Sequence, residues 1–95
     1  MLTTKQIKSL KAMAHHLKPV VQVGKGGITG NLIEQVDLAL TAHELIKVSV
    51  QKSSPLTRDE VARTLTEETG ATCVQTIGHL TVLFRPSEDN PQIQI

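Results

Sequence analysis

The sequence has almost no aromatic side chains. Phe84 stands alone in this group, because Tyr and Trp are absent. Proteins that recognise unpaired bases by stacking usually place several such rings on their binding surface. Base stacking is therefore disfavoured here, and a nucleic-acid partner would be bound mainly through its backbone.

Cysteine and long apolar runs are also scarce. Cys73 is the only cysteine, which excludes a disulfide within the chain. No apolar run approaches the roughly 18–20 residues that cross a membrane, and residues 1–5 lack the charged-then-apolar pattern of a signal peptide. We therefore expect a cytoplasmic protein without membrane contact. The 95 residues are enough for one small domain.

Acidic residues are missing from the first 30 positions, which contain five lysines. Positions 31–95 contain nine acidic and five basic residues, so the net charge of the whole chain is only +1. Charges on exposed protein surfaces are normally mixed in sign. The uneven distribution predicts one basic surface that binds a polyanion.

The first predicted helix carries most of these lysines. Thr3 and Gln6 fit a capping box, and Pro19 disfavours helical geometry at the residue before it, so a helix is expected over 3–17. Its apolar residues, spaced by three and four, are Ile7, Leu10, Ala14 and Leu17. Its other side carries Lys5, Lys8, Lys11, His15 and Lys18. The helix is thus expected to present a basic stripe to solvent.

The remaining chain alternates strand and helix patterns. Strands are predicted at 20–23, 45–51, 72–77 and 80–85, with the strand at 45–51 half-buried, and helices at 29–43 and 58–69. Gly78 and His79 fit a two-residue hairpin turn with glycine first. The order α-β-α-β-α-β-β predicts an α/β two-layer sandwich, in which helices pack on one face of a four-stranded mixed sheet. One domain is expected over 1–86, followed by a flexible tail at 87–95.

A glycine loop joins the first strand to the second helix. Gly24, Gly26 and Gly27 lack the side chains that would keep a ligand away from the backbone, and Lys25 adds a positive charge. Thr29 is the expected N-cap of the helix, whose first N–H groups and positive dipole end point back at the loop. This arrangement is typical of a phosphate-binding site.

The same loop permits a second interpretation. The spacing Gly24-x-Gly26-x-x-x-Gly30 after a strand resembles a loose dinucleotide-binding fingerprint. The acid that should end the second strand is missing, since that strand runs into Gln51 and Lys52. A P-loop is excluded because no Gly-Lys-Ser/Thr sequence occurs. A small domain that binds a dinucleotide or another phosphate ligand stays open as the alternative.

Catalytic chemistry finds little support in the sequence. The four histidines are scattered and show no metal-ligand spacing with Cys73. We therefore expect no enzyme activity, no catalytic residue, no metal and no cofactor. Glu44 is expected to have a structural role, paired with a lysine. A protein-interaction adaptor would need an exposed apolar patch. The sequence predicts none, because the apolar sides of the predicted helices can all pack into one core.

Three segments, in this order, resemble the CRM domain (chloroplast RNA splicing and ribosome maturation). They are LKP at 17–19, VGKGGIT at 23–29 and HELIKV at 43–48. The resemblance covers about residues 2–85 and is closest to stand-alone bacterial members of the YhbY type. It implies a fold related to the C-terminal domain of translation initiation factor 3, and a GxxG loop like that of KH domains at 24–27. It also implies RNA binding and association with precursors of the large ribosomal subunit.

The residue pattern and the resemblance together predict a non-catalytic, monomeric RNA-binding protein. Its expected partner is precursor large-subunit ribosomal RNA or a pre-ribosomal particle. In a GxxG loop the protein backbone clamps the nucleic-acid backbone, so phosphate contacts should set the affinity. The expected RNA-binding residues are Lys8, Lys11, His15, Lys18, Gly24, Lys25, Gly26, Gly27 and Thr29.

Overall fold

The helices and strands follow the predicted order. The computed structural model describes residues 2–88 and 91–93. Its helices are α1 (Thr4–Ala14), α2 (Gly30–His43) and α3 (Arg58–Thr69). Its strands are β1 (Pro19–Val23), β2 (Leu45–Val50), β3 (Thr72–Ile77) and β4 (Leu80–Phe84). The predicted α/β class and element order are confirmed.

Side-chain caps explain where the three helices begin. Thr3, Thr29 and Thr57 each accept a hydrogen bond from the N–H of the third helical residue, which satisfies one of the unpaired donors of the first turn. The predicted capping box at α1 is complete, and a second one opens α3. The first helix ends at Ala14 rather than at Leu17, whose N–H donates to Ala14 O in a tighter turn that leads to Pro19.

The four strands form a mixed sheet in the order β1-β2-β4-β3. β1 and β2 are parallel, whereas β4 is antiparallel to both of its neighbours. Gly78 has a φ of 59°, which suits the predicted hairpin turn with glycine first. The ends of β1 and β2 and the β3–β4 turn therefore lie at one edge of the sheet. We call this edge, formed by residues 24–29, 51–57 and 78–79, the loop edge.

One face of the sheet packs against α2 and α3, and we call it the α2–α3 face. Successive residues of a strand point to opposite faces, and in β2 the side chains of Ile46, Val48 and Val50 point this way. They pack against Val36 and Leu65 of the two helices, which are inaccessible to solvent. This is the larger of the two cores, and it joins the sheet to α2 and α3.

The opposite face packs against α1, so the expectation that all helices share one face is wrong. Leu10 and Ala14 of α1 are buried against Leu45, Val82 and Phe84. Removing the apolar strip on this face of the sheet from water is favourable, and the apolar stripe of α1 packs over it. We call this side of the sheet the α1 face.

The cover by α1 also explains why β2 is more buried than expected. Its predicted half-burial is wrong, because Leu45 and Ser49 are buried on the α1 face as well. Lys47 lies between them on the same face. Its Nζ reaches the surface and donates to Leu17 O at 2.9 Å, so the charged end is satisfied while the stem is covered.

Glu44 attaches the C-terminal segment to the domain. The predicted pairing with a lysine is wrong, because the buried carboxylate accepts N–H bonds from Ser87, Gln92 and Ile93 at 2.7–2.8 Å. The hydrogen bond from Ser87 N–H, supported by those from Gln92 and Ile93, lowers the pKa of Glu44 against the effect of burial. Of the tail predicted to be flexible, 89–90 and 94–95 lie outside the described residues, whereas Ile93 packs against the α1 core.

Candidate nucleic-acid interface

The glycine loop is a closed turn that leads into α2. Gly27 N–H donates to Gly24 O at 3.0 Å, and Gly27 has a φ of 67°. Thr29 Oγ1 accepts from Leu32 N–H at 3.2 Å, and Thr29 O accepts from Ile33 N–H. The N–H groups of Gly30 and Asn31 have no partner within the part of the chain that the structure describes. They are available to an anion at the helix N-terminus.

The three glycines of the loop differ in what surrounds them. A Cβ at Gly24 would lie 2.8 Å from Gln51 Oε1, and one at Gly27 would lie 3.2 Å from Pro55 Cγ. Gly27 also has the left-handed backbone conformation that favours glycine. A Cβ at Gly26 would meet nothing within 4 Å. The fold thus requires Gly27, whereas the open side of the loop at Gly26 and Lys25 faces solvent.

The loop between β2 and α3 lies beside the glycine loop, and the sequence interpretation missed it. Gln51 N–H donates to Val23 O at 2.8 Å, which joins the two loops directly. Lys52 and Ser53 are exposed here. The parallel pairing of β1 with β2 is the feature that would have predicted this neighbour, because the carboxyl ends of parallel strands meet at one edge.

The β3–β4 turn completes the loop edge. Arg58 Nη1 donates to Gly78 O at 2.8 Å, and Val50 N–H donates to His79 O at 2.7 Å. His79 is exposed. Together with Lys25 and Lys52, these residues give the loop edge several basic groups from three separate segments of the chain.

Lys8, Lys11 and His15 share one side of α1, as predicted. Lys8 and Lys11 line a shallow depression beside Ile7. Lys11 and His15 line a larger cavity, of about 680 Å³, that lies between α1 and the β3–β4 hairpin. All three basic side chains are exposed.

Lys18 does not lie in this cavity. It lines a second cavity, of about 410 Å³, together with Leu17, Val20 and His43. Lys18 therefore extends the basic surface around the end of α1 and away from the hairpin. The glycine loop and α1 are themselves separated by the exposed part of β1, where Gln22 Oε1 accepts from Gln51 Nε2 at 2.9 Å.

Charges of opposite sign occupy different parts of the molecule. Among the described residues, the acidic side chains belong to α2, α3 and the segments that follow α2 and β4: Glu34, Asp37, Glu44, Asp59, Glu60, Glu67, Glu68 and Glu88. No acidic residue occurs in α1, β1, the glycine loop, the β2–α3 loop or the β3–β4 hairpin. These segments of the α1 face and the loop edge are thus basic, and the nearest acids are Asp59, paired with Arg58, and Glu60, which accepts from Thr57 N–H.

Two further features concern residues 2–88 and 91–93. There, no three His, Cys, Asp or Glu side chains are grouped so that they could hold a metal ion. No helix in these ranges is long and apolar enough to cross a membrane.

The sequence matches the family model of the CRS1 / YhbY (CRM) domain over residues 2–85. This chain belongs to the CRM family. A relative from Bacillus subtilis, named probable RNA-binding protein YqeI, is 46% identical over all of this chain and 99% of its own length. An RNA-binding protein from Haemophilus influenzae is 47% identical over 93% of this chain and 89% of its own length.

The fold is also that of a solved relative. The solution structure of protein SAV1595 from Staphylococcus aureus superimposes with a TM-score of 0.82. It is 43% identical in sequence and covers all of this CRM chain and 99% of its own. The family inferred from the three sequence segments is therefore confirmed, and its relatives carry names that describe RNA-binding proteins.

Proposed function

We propose that this CRM protein binds RNA without catalysis, through the backbone of the glycine loop and the basic side of α1. The observation that carries the proposal is an exposed glycine loop beside free helix N–H groups, next to a helix, α1, that carries basic and no acidic residues. The names of its relatives in Bacillus subtilis and Haemophilus influenzae support RNA as the partner.

In the proposed complex, the glycine loop holds the RNA backbone. Gly26 has open space above it, so a phosphate can approach the main chain closely. The free N–H groups of Gly30 and Asn31 donate to that phosphate, and the dipole of α2 favours its negative charge. The Lys25 ammonium group forms an ion pair with a second oxygen of the phosphate.

The basic side of α1 extends the contact along the RNA. Lys8, Lys11 and His15 lie on one side of the helix, and Lys18 follows its end. Contacts of this kind neutralise phosphates and release counterions, so they contribute affinity without reading the base sequence. RNA shape then determines most of the preference.

Membership of the CRM family supports a more specific partner. We propose that the RNA is a precursor of large-subunit ribosomal RNA, bound in the cytoplasm by a monomer of this protein. The alternative, a bound dinucleotide, gains no support from the loop edge. After β2, where such a site requires an acid, Gln51 donates its side-chain amide to Gln22 instead.

The proposal is tested with Lys25→Ala and Gly26→Asp. A Cβ at Gly26 meets nothing within 4 Å, and Lys25 is exposed, so both variants should remain folded by circular dichroism. The matched controls are Arg63→Ala, which removes a positive charge from α3, and Gln35→Glu, which adds a negative charge to exposed α2. RNA crosslinked to each variant in cells would be sequenced, and binding to RNAs of several sequences would be measured in vitro.

We expect the wild type to enrich one region of precursor large-subunit RNA and both loop variants to lose that enrichment. In vitro, Lys25→Ala should weaken all RNAs about equally and reduce the slope of the salt dependence by about one phosphate contact. Folded loop variants that bind RNA like the wild type would refute the role of the loop. Enrichment of unrelated RNAs would refute the ribosomal assignment.

A further inference from the structure

A groove runs between α1 and the β3–β4 hairpin on the α1 face. Its volume is about 680 Å³, which is within the range of sites that bind small ligands. Apolar side chains line it at Ile77, Leu80 and Val82, and Lys11, His15 and His79 add basic groups. Lys47 also lines it, but its Nζ donates to Leu17 O. We call this cavity the hairpin groove.

A β-bulge turns one polar side chain into the hairpin groove. The pairing of β3 with β4 shifts register between Cys73 and Gln75, so that Cys73 pairs with Leu83 but Gln75 pairs with Val82. In a regular strand, Cys73 and Gln75 would share a face. Here Cys73 packs toward the α2–α3 core, whereas Gln75 lines the groove. Bulges often redirect a side chain in this way beside functional sites.

The side-chain amide of Gln75 has capacity for a ligand. It is half-buried and makes no hydrogen bond to any residue that the structure describes. An amide offers one acceptor and two donors, and it can pair with the edge of a nucleobase. The fold therefore places an unused donor and acceptor beside the apolar side chains of Ile77 and Leu80.

We propose that the hairpin groove holds one unpaired nucleotide of the RNA. The base lies on Ile77 and Leu80, the Gln75 amide bonds its edge, and Lys11 faces its phosphate. The inference rests on the proposed function, because the glycine loop and α1 bring the RNA to this face. It goes further by assigning a preference for unpaired over duplex RNA.

The lining of the groove favours a nucleotide over an acidic peptide. Both would suit the positive charge, but a peptide carboxylate has no use for the apolar surface of Ile77 and Leu80. The scarcity of Phe, Tyr and Trp does not oppose this site, because the imidazole rings of His15 and His79 line it. Histidine rings are among those on which RNA bases stack.

The first test is an NMR titration of the full chain with the four nucleoside 5′-monophosphates, with inorganic phosphate as the control. We expect saturable shifts at the amides of Gln75, Ile77 and Leu80 with at least one nucleotide and not with phosphate. The same shifts with phosphate alone would overturn the base site. Equal displacement of the nucleotide by polyglutamate at matched charge would overturn it in favour of a peptide site.

The second test is Gln75→Met, which keeps the length of the side chain and removes its hydrogen bonds. Gln35→Met, on exposed α2, is the matched control. Gln75→Met should bind single-stranded RNA about three- to tenfold more weakly, as expected for one lost hydrogen bond. Its affinity for duplex RNA and its salt slope should equal those of the wild type.

The two proposals fail in different ways. If Gly26→Asp loses both kinds of RNA while Gln75→Met binds both like the wild type, the groove proposal is wrong and the proposed function stands. If the wild type binds neither RNA above background, both proposals are wrong. If Gln75→Met loses single-stranded and duplex RNA equally, Gln75 does not contact a base and the groove proposal is wrong.

Discussion

The α2–α3 face and the α1 face of the sheet differ in cover and in charge. Two helices close the first face over a continuous core that reaches from Val21 to Leu83. One helix covers part of the second face and leaves a groove beside the hairpin. The acidic helices lie on the first face, and the helix without acids lies on the second. We therefore propose that in this CRM protein one face mainly supplies stability and the other is used for binding.

Polar contacts strengthen the same contrast. On the α2–α3 face, Arg85 Nη1 donates to Asp37 Oδ1 at 2.6 Å and to Thr69 O at 2.8 Å, which joins α2 to the end of α3. Asp37 is thus part of a bridge between helices. On the α1 face, Lys47 donates to Leu17 O and anchors only the end of α1.

The largest expected effect comes from breaking each core in turn. Leu65 and Leu10 are both inaccessible to solvent, in the α2–α3 core and the α1 core respectively. We expect Leu65→Ala to lower the free energy of unfolding by about 3–5 kcal/mol and Leu10→Ala by about 2–3 kcal/mol, because the smaller core relaxes more easily around the lost volume. Urea denaturation followed by circular dichroism measures both.

The control for this comparison is Leu38→Ala, since Leu38 is 62% exposed. Its effect should stay below about 0.5 kcal/mol. If Leu10→Ala cost as much as Leu65→Ala, the two faces would contribute equally to stability and the contrast drawn above would be wrong.

A smaller effect is expected at Glu44, the acid that holds the tail against the α1 core. Its backbone φ is 66°, an unfavourable value for a residue with a side chain. The conformation is held by hydrogen bonds on its main chain, from Glu44 N–H to Leu40 O and from Arg85 N–H to Glu44 O. We expect Glu44→Gln to lower the free energy of unfolding by about 1–3 kcal/mol at neutral pH, because three N–H groups lose a charged acceptor.

The pH dependence of stability distinguishes this carboxylate from an exposed one. The N–H bonds from the tail hold the pKa of Glu44 below its ordinary value of 4.5 in the folded state. Its contribution is therefore complete above that ordinary value and is lost as the pH falls through it to the folded-state pKa. The wild type should lose more stability in this window than Glu44→Gln. Glu34→Gln, at an exposed position of α2, should follow the wild type, and parallel curves for all three would contradict the assignment.

Local patterns in the sequence predicted much of this fold. Thr3 and Gln6 form the predicted capping box of α1, and Gly78 forms the predicted hairpin turn, because these features depend only on neighbouring residues. The side of α1 that is apolar was also predictable from spacing. The face of the sheet against which α1 packs was not predictable. It depends on Val82 and Phe84, which form a second apolar strip on the α1 face.

The candidate site shows the same division. The glycine loop was predictable because all its parts lie within seven residues of sequence. The neighbouring Lys52 was not, since only the parallel pairing of β1 and β2 brings it there. The turning of Gln75 into the hairpin groove depends on a register shift between β3 and β4, and a strand pattern in the sequence does not reveal a bulge. The link from Glu44 to Ile93 spans 49 positions and follows from the folded chain alone.

The central claim is that the α1 face and the loop edge bind RNA, whereas the acidic outer surface of α2 and α3 does not. The most direct measurement is the salt dependence of single-stranded RNA binding for Lys8→Ala/Lys11→Ala and for Arg63→Ala. We predict that the double variant on α1 lowers the slope of log K against log salt concentration by about 1.4, as expected for two lost phosphate contacts. Arg63→Ala, on α3, should leave the slope unchanged. An unchanged slope for the α1 variant, or an equal loss for Arg63→Ala, would contradict the account.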